Sequence, residues 1–342
     1  MSDNDWKLFR RVPRDDANVA IDSIRKEIPP WRDFARADYR ATTYQPDDDE
    51  IEMINAAIYL RRPLLITGNP GVGKSSLIYA VAKQLALGTV LEWPISSRTT
   101  VRDGLYEYDA VGRLRDLQFA NQLPSATGEP VPAASEADAL SRYVRLGPLG
   151  TALLPTERPR ALLIDEIDKG DVDFANDLLH VFEMGRFEIP EARRIAERHH
   201  EIRIGTAETE ADGRVRMTTI RGGSVACDVF PVVVLTSNGE RELPPAFLRR
   251  CLRLEMKPPG KERLTTIVRA HFEGIKLPPE VLALIDDVAK SSQDSGTTDR
   301  GPRKVVATDQ LLNALYFVLG KPRPTADEFT RLRERLLKDL GE

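Results

Sequence analysis

Residues 64–86, LLITGNPGVGKSSLIYAVAKQLA, place a glycine-rich octet between an apolar run and an amphipathic stretch. The octet, residues 68–75, fits the pattern G-x-x-x-x-G-K-[ST] of phosphate-cradling loops. The apolar run before it predicts a buried strand, and the spacing of apolar residues after it predicts a helix. The alternative is a glycine-rich turn that matches the pattern by chance. Such a turn would not need a strand before it and a helix after it. The stretch therefore predicts a strand, a phosphate-binding loop and a helix in an α/β fold.

Each residue type of the octet suits a role in binding a nucleotide. The glycines allow the backbone N–H groups to point inward, and the following helix adds the positive end of its dipole. We expect Lys74 to reach the β- and γ-phosphates and the Ser75 hydroxyl to bind Mg²⁺. The predicted binding residues of this segment are Gly68, Asn69, Pro70, Gly71, Val72, Gly73, Lys74, Ser75 and Ser76.

Five apolar runs predict buried parallel strands, because they are too continuous for half-exposed ones. Amphipathic stretches lie between or before several of them, which predicts an αβα sandwich with a parallel five-stranded sheet. Ligands of such sheets bind beyond the carboxyl ends of the strands. The runs are residues 63–67, 89–95, 161–167, 232–238 and 251–256, and the stretches include residues 49–59, 75–87 and 171–184.

The pattern changes after residue 258, where helical periodicity continues without further strands. We predict an N-terminal extension (1–45), a nucleotide-binding domain (46–258) and an all-helical lid domain (259–342). Within the second domain, residues 120–138 are rich in Pro, Ala and small polar residues and predict a mobile loop. Residues 187–230 predict a β-hairpin insertion around Ala211-Asp212-Gly213. The predicted lid helices are residues 261–275, 279–291, 308–319 and 325–340.

Residues 160–166, RALLIDE, bring two carboxylates to the end of a predicted strand. Asp165 suits binding of Mg²⁺ through its water shell. Glu166 follows directly and is suited to polarise an attacking water. The alternative is that the two acids have no catalytic role and only cap the helix that follows the strand. Small-molecule kinases exclude water rather than activate it, so the pair favours ATP hydrolysis.

Residues 232–251 have the sequence VVVLTSNGERELPPAFLRRC. The apolar run at their start ends in the amide residue Asn238, and Arg249 and Arg250 come directly before the last predicted strand. Here the chain resembles the AAA+ ATPases and, within them, the MoxR-like group. The resemblance covers most of residues 40–320. The motifs that carry it are GNPGVGKS, LLIDEIDKG, TSNGERELPPAFLRRC and GPRK.

The resemblance implies roles for four further residues. Asn238 matches sensor 1, whose amide orients the attacking water. Arg250 falls at the arginine finger, which enters the neighbouring subunit's site, but Arg249 carries the same charge and the choice between them stays open. A guanidinium suits this role because it spreads its charge over phosphate oxygens. Arg303 matches sensor 2. The alternatives are a solvated helix end for Arg249 and Arg250, and an ordinary surface position for Arg303.

The resemblance also implies a ring of identical subunits, with a hexamer expected, and a protein partner that carries a von Willebrand factor A-type domain. The net charge of −4 disfavours coating of nucleic acid. Two cysteines and no secretory or membrane-spanning stretch lead us to expect a cytoplasmic protein. Tyr106 and Tyr108 lie in a region that faces the pore in ring-forming relatives, and they either contact a partner or pack against a neighbouring loop.

Three functions remain open at this point. A remodelling ATPase uses hydrolysis to act on a protein partner. A regulatory switch in a defence or signalling assembly binds nucleotide with little turnover. A nucleic-acid motor is disfavoured by the acidic balance of the chain.

Overall fold

The computed structural model describes residues 6–7, 28–33, 39–122, 136–293, 306–320 and 324–337. The chain divides into two compact units. Unit 1 comprises residues 1–47, 68–80 and 255–342, and unit 2 comprises residues 48–67 and 81–254. The phosphate-loop segment thus belongs to unit 1, whereas the strand that precedes it in the chain belongs to unit 2.

The elements of the described residues are as follows. The strands are β1 (Leu64–Thr67), β2 (Leu91–Pro94), β3 (Tyr106–Tyr108), β4 (Val144–Leu146), β5 (Ala161–Asp165), β6 (Arg186–Glu188), β7 (Glu201–Thr209), β8 (Val215–Arg221), β9 (Ser224–Ala226), β10 (Val232–Ser237) and β11 (Leu252–Glu255). The α-helices are α1 (Tyr39–Thr43), α2 (Asp48–Leu60), α3 (Ser76–Gln84), α4 (Val101–Leu105), α5 (Ala110–Gln122), α6 (Glu136–Tyr143), α7 (Pro148–Ala152), α8 (Phe174–Met184), α9 (Pro190–Arg193), α10 (Pro245–Arg250), α11 (Lys261–His271), α12 (Pro279–Gln293), α13 (Thr308–Leu319) and α14 (Ala326–Leu336).

A five-stranded sheet in the order β11-β1-β10-β5-β2 confirms the predicted α/β fold. The pairs β1–β10, β10–β5 and β5–β2 are parallel. The residues of β10 are buried throughout, as expected for a strand covered on both faces. Thr67 pairs with Ser237, and Pro94 pairs with Asp165. The carboxyl ends of four strands therefore lie at one edge of the sheet.

A second sheet has six strands in the order β3-β4-β7-β8-β9-β6, all within unit 2. Strands β7 and β8 pair antiparallel on either side of residues 210–214, within the segment for which a hairpin insertion was predicted. The sequence did not predict that β3 and β4 extend the same sheet through the parallel pair of Arg145 with Gly205. Tyr106 is buried in β3, and Tyr108 accepts a hydrogen bond from Arg113 at 3.0 Å. Tyr106 therefore packs inside the unit.

The predicted loop at residues 120–138 is wrong at both of its ends. Helix α5 continues to Gln122, and α6 begins at Glu136. Acidic residues in the first turn of α6 favour that helix start through the helix dipole, and Leu140 anchors the helix by its burial. Residues 123–135 lie outside the described residues.

Helices α11, α12, α13 and α14 confirm the predicted helical C-terminal region, and the first three enclose an apolar core in unit 1. Trp31 packs edge-on against Phe272 and Tyr316 with ring centroids 5.8 and 6.0 Å apart. Trp31 thus packs against the same apolar core as the C-terminal helices. No helix in the described part of the chain is both long enough and apolar enough to cross a bilayer.

Candidate functional site

The phosphate loop in unit 1 is built on glycines that adopt backbone angles other residues avoid. Gly68, Gly71 and Gly73 have φ of 145°, 77° and 99°. A Cβ on Gly68 would lie 2.4 Å from the Met256 carbonyl oxygen, so no other residue fits there without movement. The buried Lys74 ammonium donates to the carbonyl oxygens of Gly68 and Asn69 at 2.7 and 3.0 Å. The loop is therefore closely curled around its lysine, a cradle that fits phosphate groups.

A cavity of about 330 Å³ in unit 1 adjoins this loop. Gly71, Val72 and Gly73 of the loop and Ser76 after it contribute to its lining. Other lining residues are aromatic or polar and include Trp31, Tyr39, His271, Thr308 and Asn313. The volume lies within the range of small-molecule sites, and the aromatic rings suit the flat faces of a nucleoside base. No sequence motif reveals this set, because its members come from three distant segments of the chain.

His271 lies in this cavity wall, where burial favours its neutral form and outweighs the opposing effect of the Ile267 carbonyl. Its Nδ1 lies 3.0 Å from the Ile267 carbonyl oxygen, and its ring packs edge-on against Tyr39 with centroids 5.4 Å apart. Burial lowers the pKa of His271 from its ordinary value near 6.5. The imidazole is therefore an uncharged part of the wall near neutral pH.

This lowered pKa predicts a pH dependence of stability. The unfolded chain binds the His271 proton more tightly than the folded chain, so stability falls as pH drops below about 6.5 and the loss is complete below the folded pKa. Urea unfolding at pH 7.5 and 5.5 measures the effect. In a His271→Gln variant the difference between the two pH values should shrink, and an unchanged difference would contradict the assignment.

At the carboxyl edge of the sheet in unit 2, Thr236 joins the two acidic residues. Its hydroxyl donates to Asp165 Oδ1 at 2.6 Å and accepts from the Glu166 backbone N–H at 2.9 Å. Glu166 has a left-handed backbone with φ of 59°, which is uncommon for a residue with a side chain. The turn after β5 therefore directs Glu166 away from the direction of the strand.

The Glu166 carboxylate has a partner on each oxygen. Lys169 Nζ lies 2.7 Å from Oε2, and the Asn238 amide donates to Oε1 at 3.4 Å. The hydrogen bond with Glu166 raises the pKa of Lys169. Both members of the ion pair are about 40% exposed, so it orients the carboxylate more than it stabilises the fold. The structure thus brings together three predicted residues: Asp165, Glu166 and Asn238.

Asp168 is a buried carboxylate that the sequence analysis missed. Its Oδ2 accepts from the backbone N–H groups of Asn238 and Glu240 at 3.0 and 2.9 Å. Its Oδ1 is buried and has no hydrogen-bond partner among the described residues. Asp168 thereby fastens the loop that carries Asn238 to the segment after Glu166. The available signal was an acid three residues after Asp165 in the run DEID.

Arg249 and Arg250 lie at the C-terminal end of α10. Arg62 caps this end by donating to the backbone carbonyl oxygens of both arginines. The Arg250 guanidinium forms an ion pair with the Glu183 carboxylate, whereas Arg249 donates to Pro245 O in its own helix at 3.4 Å. Both side chains are exposed. The geometry leaves either arginine accessible to a second copy of the chain.

The fold and the acidic edge define a P-loop nucleotide-binding protein. A family model described as AAA domain (dynein-related subfamily) matches residues 63–251, more than half of the chain. The chain therefore belongs to the AAA family, which confirms the AAA+ part of the resemblance. A search of curated proteins found no match.

Membership of this family carries general properties. AAA domains bind ATP, usually with Mg²⁺, and the class hydrolyses it. They commonly assemble into rings. Of the predicted site residues, Arg303 lies outside the described residues.

Proposed function

We propose that this protein is a ring-forming ATPase of the MoxR-like kind, which couples ATP hydrolysis to chaperone-like remodelling or activation of a protein partner. The observation that carries the proposal lies at the carboxyl ends of β5 and β10: Asn238 donates directly to the Glu166 carboxylate, and Thr236 links Asp165 with the Glu166 backbone. A carboxylate oriented by an amide, one residue after a candidate Mg²⁺ ligand, suits the activation of water. That chemistry favours hydrolysis over transfer to a small molecule.

We assign roles by residue type and position. Lys74 binds the β- and γ-phosphates, and Ser75 and Asp165 hold Mg²⁺, which neutralises phosphate charge when bound. Glu166 accepts the proton of the attacking water, which Asn238 orients. Arg250, or its neighbour Arg249, completes the site of an adjacent subunit. Arg303 is assigned as the residue that senses the γ-phosphate.

The cavity beside the phosphate loop is assigned to the nucleoside. Its position next to Gly71 and Gly73 supports this, because the base and ribose of ATP must continue from the phosphates. Trp31 is anchored in the wall by its Nε1–H, which donates to Asn313 Oδ1 at 3.1 Å. An anchored indole offers a fixed surface for stacking.

We further propose the functional division into an extension (1–45), an AAA+ domain (46–258) and a helical lid (259–342). The change from strands to helices after β11 supports the last boundary. The proposed assembly is a hexameric, cytoplasmic ring, and the proposed partner carries a von Willebrand factor A-type domain. These assignments rest on the MoxR-like resemblance.

A regulatory switch is the second candidate, and the ion pair of Lys169 with Glu166 favours it. The Lys169 ammonium occupies one oxygen of the Glu166 carboxylate and competes there with an attacking water. A protein with this ion pair intact would bind nucleotide with little turnover, and its output would be assembly. A nucleic-acid motor is the third candidate, which the net charge of −4 disfavours.

One titration separates these functions. ATP turnover per subunit is measured as protein concentration rises, with and without DNA or RNA. The remodelling ATPase predicts turnover that increases with concentration and ignores nucleic acid. Binding with almost no turnover at any concentration supports the switch, and stimulation by nucleic acid supports the motor. Turnover independent of concentration contradicts a site shared between subunits.

Loss of the Lys74 ammonium is expected to abolish tight nucleotide binding. Charge-assisted hydrogen bonds contribute about 1.5–3 kcal/mol each, so Lys74→Ala should weaken ATP binding by about ten- to a hundredfold. Calorimetric titration with ATP and Mg²⁺ measures the change. Lys83→Ala, on the exposed face of the same helix α3, is the matched control and should bind like wild type. Equal affinities for wild type and Lys74→Ala would contradict the assigned role.

A further inference from the structure

Thr236 uses both hydrogen-bonding capacities of its hydroxyl at the acidic edge of the sheet. The side chain is 1% exposed and lies in β10, directly beside β5. Its Oγ1 donates to the Asp165 carboxylate at 2.6 Å and accepts from the Glu166 N–H at 2.9 Å. A single buried atom thus contacts two consecutive residues with different assigned roles.

The strand register explains why the hydroxyl reaches both groups. Leu235 pairs with Ile164 in the parallel ladder, so Thr236 stands across from the residue where β5 ends. After that residue the chain turns through the left-handed conformation of Glu166. The Glu166 N–H therefore no longer follows the ladder, and the Thr236 hydroxyl accepts it instead.

The chemistry of the two contacts differs. The bond to Asp165 Oδ1 is short and ends on a carboxylate, so it restrains the rotation of a candidate Mg²⁺ ligand. The bond from the Glu166 N–H holds a backbone conformation that most residues avoid. Because that conformation sets the direction in which the Glu166 side chain leaves the backbone, the hydroxyl acts on the glutamate through its peptide.

We propose that Thr236 is a positioning residue for ATP hydrolysis, and that its hydroxyl fixes the Asp165 carboxylate and the Glu166 peptide relative to each other. The inference rests on the proposed ATPase function. Thr236 contacts neither nucleotide nor water in this assignment. It supports the residues that do.

The test compares valine and serine at this position. Thr236→Val keeps the shape but removes the hydroxyl, and it should lower kcat by about ten- to a hundredfold, as expected for loss of a partner that orients a metal ligand. It should also raise the Mg²⁺ concentration needed for half-maximal activity. The KM for ATP should stay within about twofold, because the phosphate loop is unchanged. Thr236→Ser, which retains the hydroxyl, should recover most of the activity.

Thr151 provides a matched control in the same unit. It is fully buried, and its hydroxyl accepts from the Ala207 N–H at 2.9 Å. Thr151→Val therefore makes the same chemical change away from the acidic edge. It should lower the melting temperature by an amount comparable to Thr236→Val and leave kcat and the Mg²⁺ requirement unchanged.

Several outcomes overturn the inference. These are a Thr236→Val variant with wild-type kcat and Mg²⁺ requirement, a Thr151→Val variant with the same kinetic losses, or a serine variant no better than valine. If wild type hydrolyses no ATP, the proposed function fails by itself. The inference is then decided by the Mg²⁺ dependence of ATP binding, which Thr236→Val must still shift and Thr151→Val must not.

Discussion

Glu166→Gln is expected to lower kcat for ATP hydrolysis by about a hundred- to ten-thousandfold, the range for removal of a general base. Glutamine keeps the size of the side chain and an oxygen for the Asn238 amide, but it cannot accept the proton of water. ATP affinity should change by less than about threefold, because the assigned phosphate contacts come from other residues. Phosphate release and calorimetric ATP binding measure the two quantities.

The control for this variant is Glu240→Gln. Glu240 is exposed, and its backbone N–H, rather than its carboxylate, contacts Asp168. It should retain wild-type kcat. In the Glu166→Gln variant, loss of the half-exposed ion pair between Glu166 and Lys169 should leave the free energy of unfolding nearly unchanged. A Glu166→Gln enzyme that keeps more than a tenth of wild-type turnover would rule out Glu166 as the base.

Arg250→Ala is expected to lower kcat by about a thousandfold or more, the effect known for loss of an arginine that stabilises the charge of phosphoryl transfer. Arg249→Ala is the matched control, because it removes the same charge from the same helix end. Single-turnover and steady-state ATPase assays at saturating protein concentration measure both. The pair also decides between the two arginines, since only the variant of the true finger should lose turnover.

Mixing distinguishes a residue acting in trans from one acting in cis. An equimolar mixture of Glu166→Gln and Arg250→Ala subunits contains interfaces where an intact Glu166 faces an intact Arg250. Such a mixture should regain measurable turnover that neither variant has alone. Absence of any recovery, with mixed assembly confirmed by mass measurement, would contradict a shared site.

The sequence predicted the parts of the site that depend on local pattern. The loop at residues 68–75 and the acidic end of β5 each lie in one continuous motif, and β1, β5 and β10 are the buried apolar runs that were predicted. The prediction of continuous burial is wrong for β2 and β11, whose residues include exposed ones at alternate positions. The helices after β11 were predicted for the same reason, since amphipathic periodicity is local. The family comparison then confirmed the class that these motifs indicate.

The missed residues act across long separations in the chain. Thr236 contacts Asp165 over 71 positions, and Asp168 contacts the Asn238 loop over 70. Neither residue type is unusual at a strand end, so only the pairing of β10 with β5 reveals the role. The same holds for the cavity beside the phosphate loop, where the rings of Trp31 and His271 lie 6.0 Å apart although the residues are far apart in the sequence.

The second sheet was underestimated because four of its strands have three residues each. Three residues are too few for an alternating pattern to be recognised. The hairpin β7–β8 is longer and has a glycine in its turn, so its signal was clear. The pairing of β4 with β7 joins β3 and β4 to the hairpin, and it links residues 60 positions apart in the sequence.

The hairpin is not a detachable module of this protein. Ile202, Ile204 and Ile220 lie in the same apolar cluster as Leu162 and Ile164 of the strand that ends at Asp165. A displacement of the hairpin would therefore disturb the apolar core on which β5 packs, and β5 ends at the acidic edge. Moving the hairpin to another protein would expose apolar residues of the hairpin and of the sheet that contains β5. An engineered exchange must therefore include the strands that surround the hairpin.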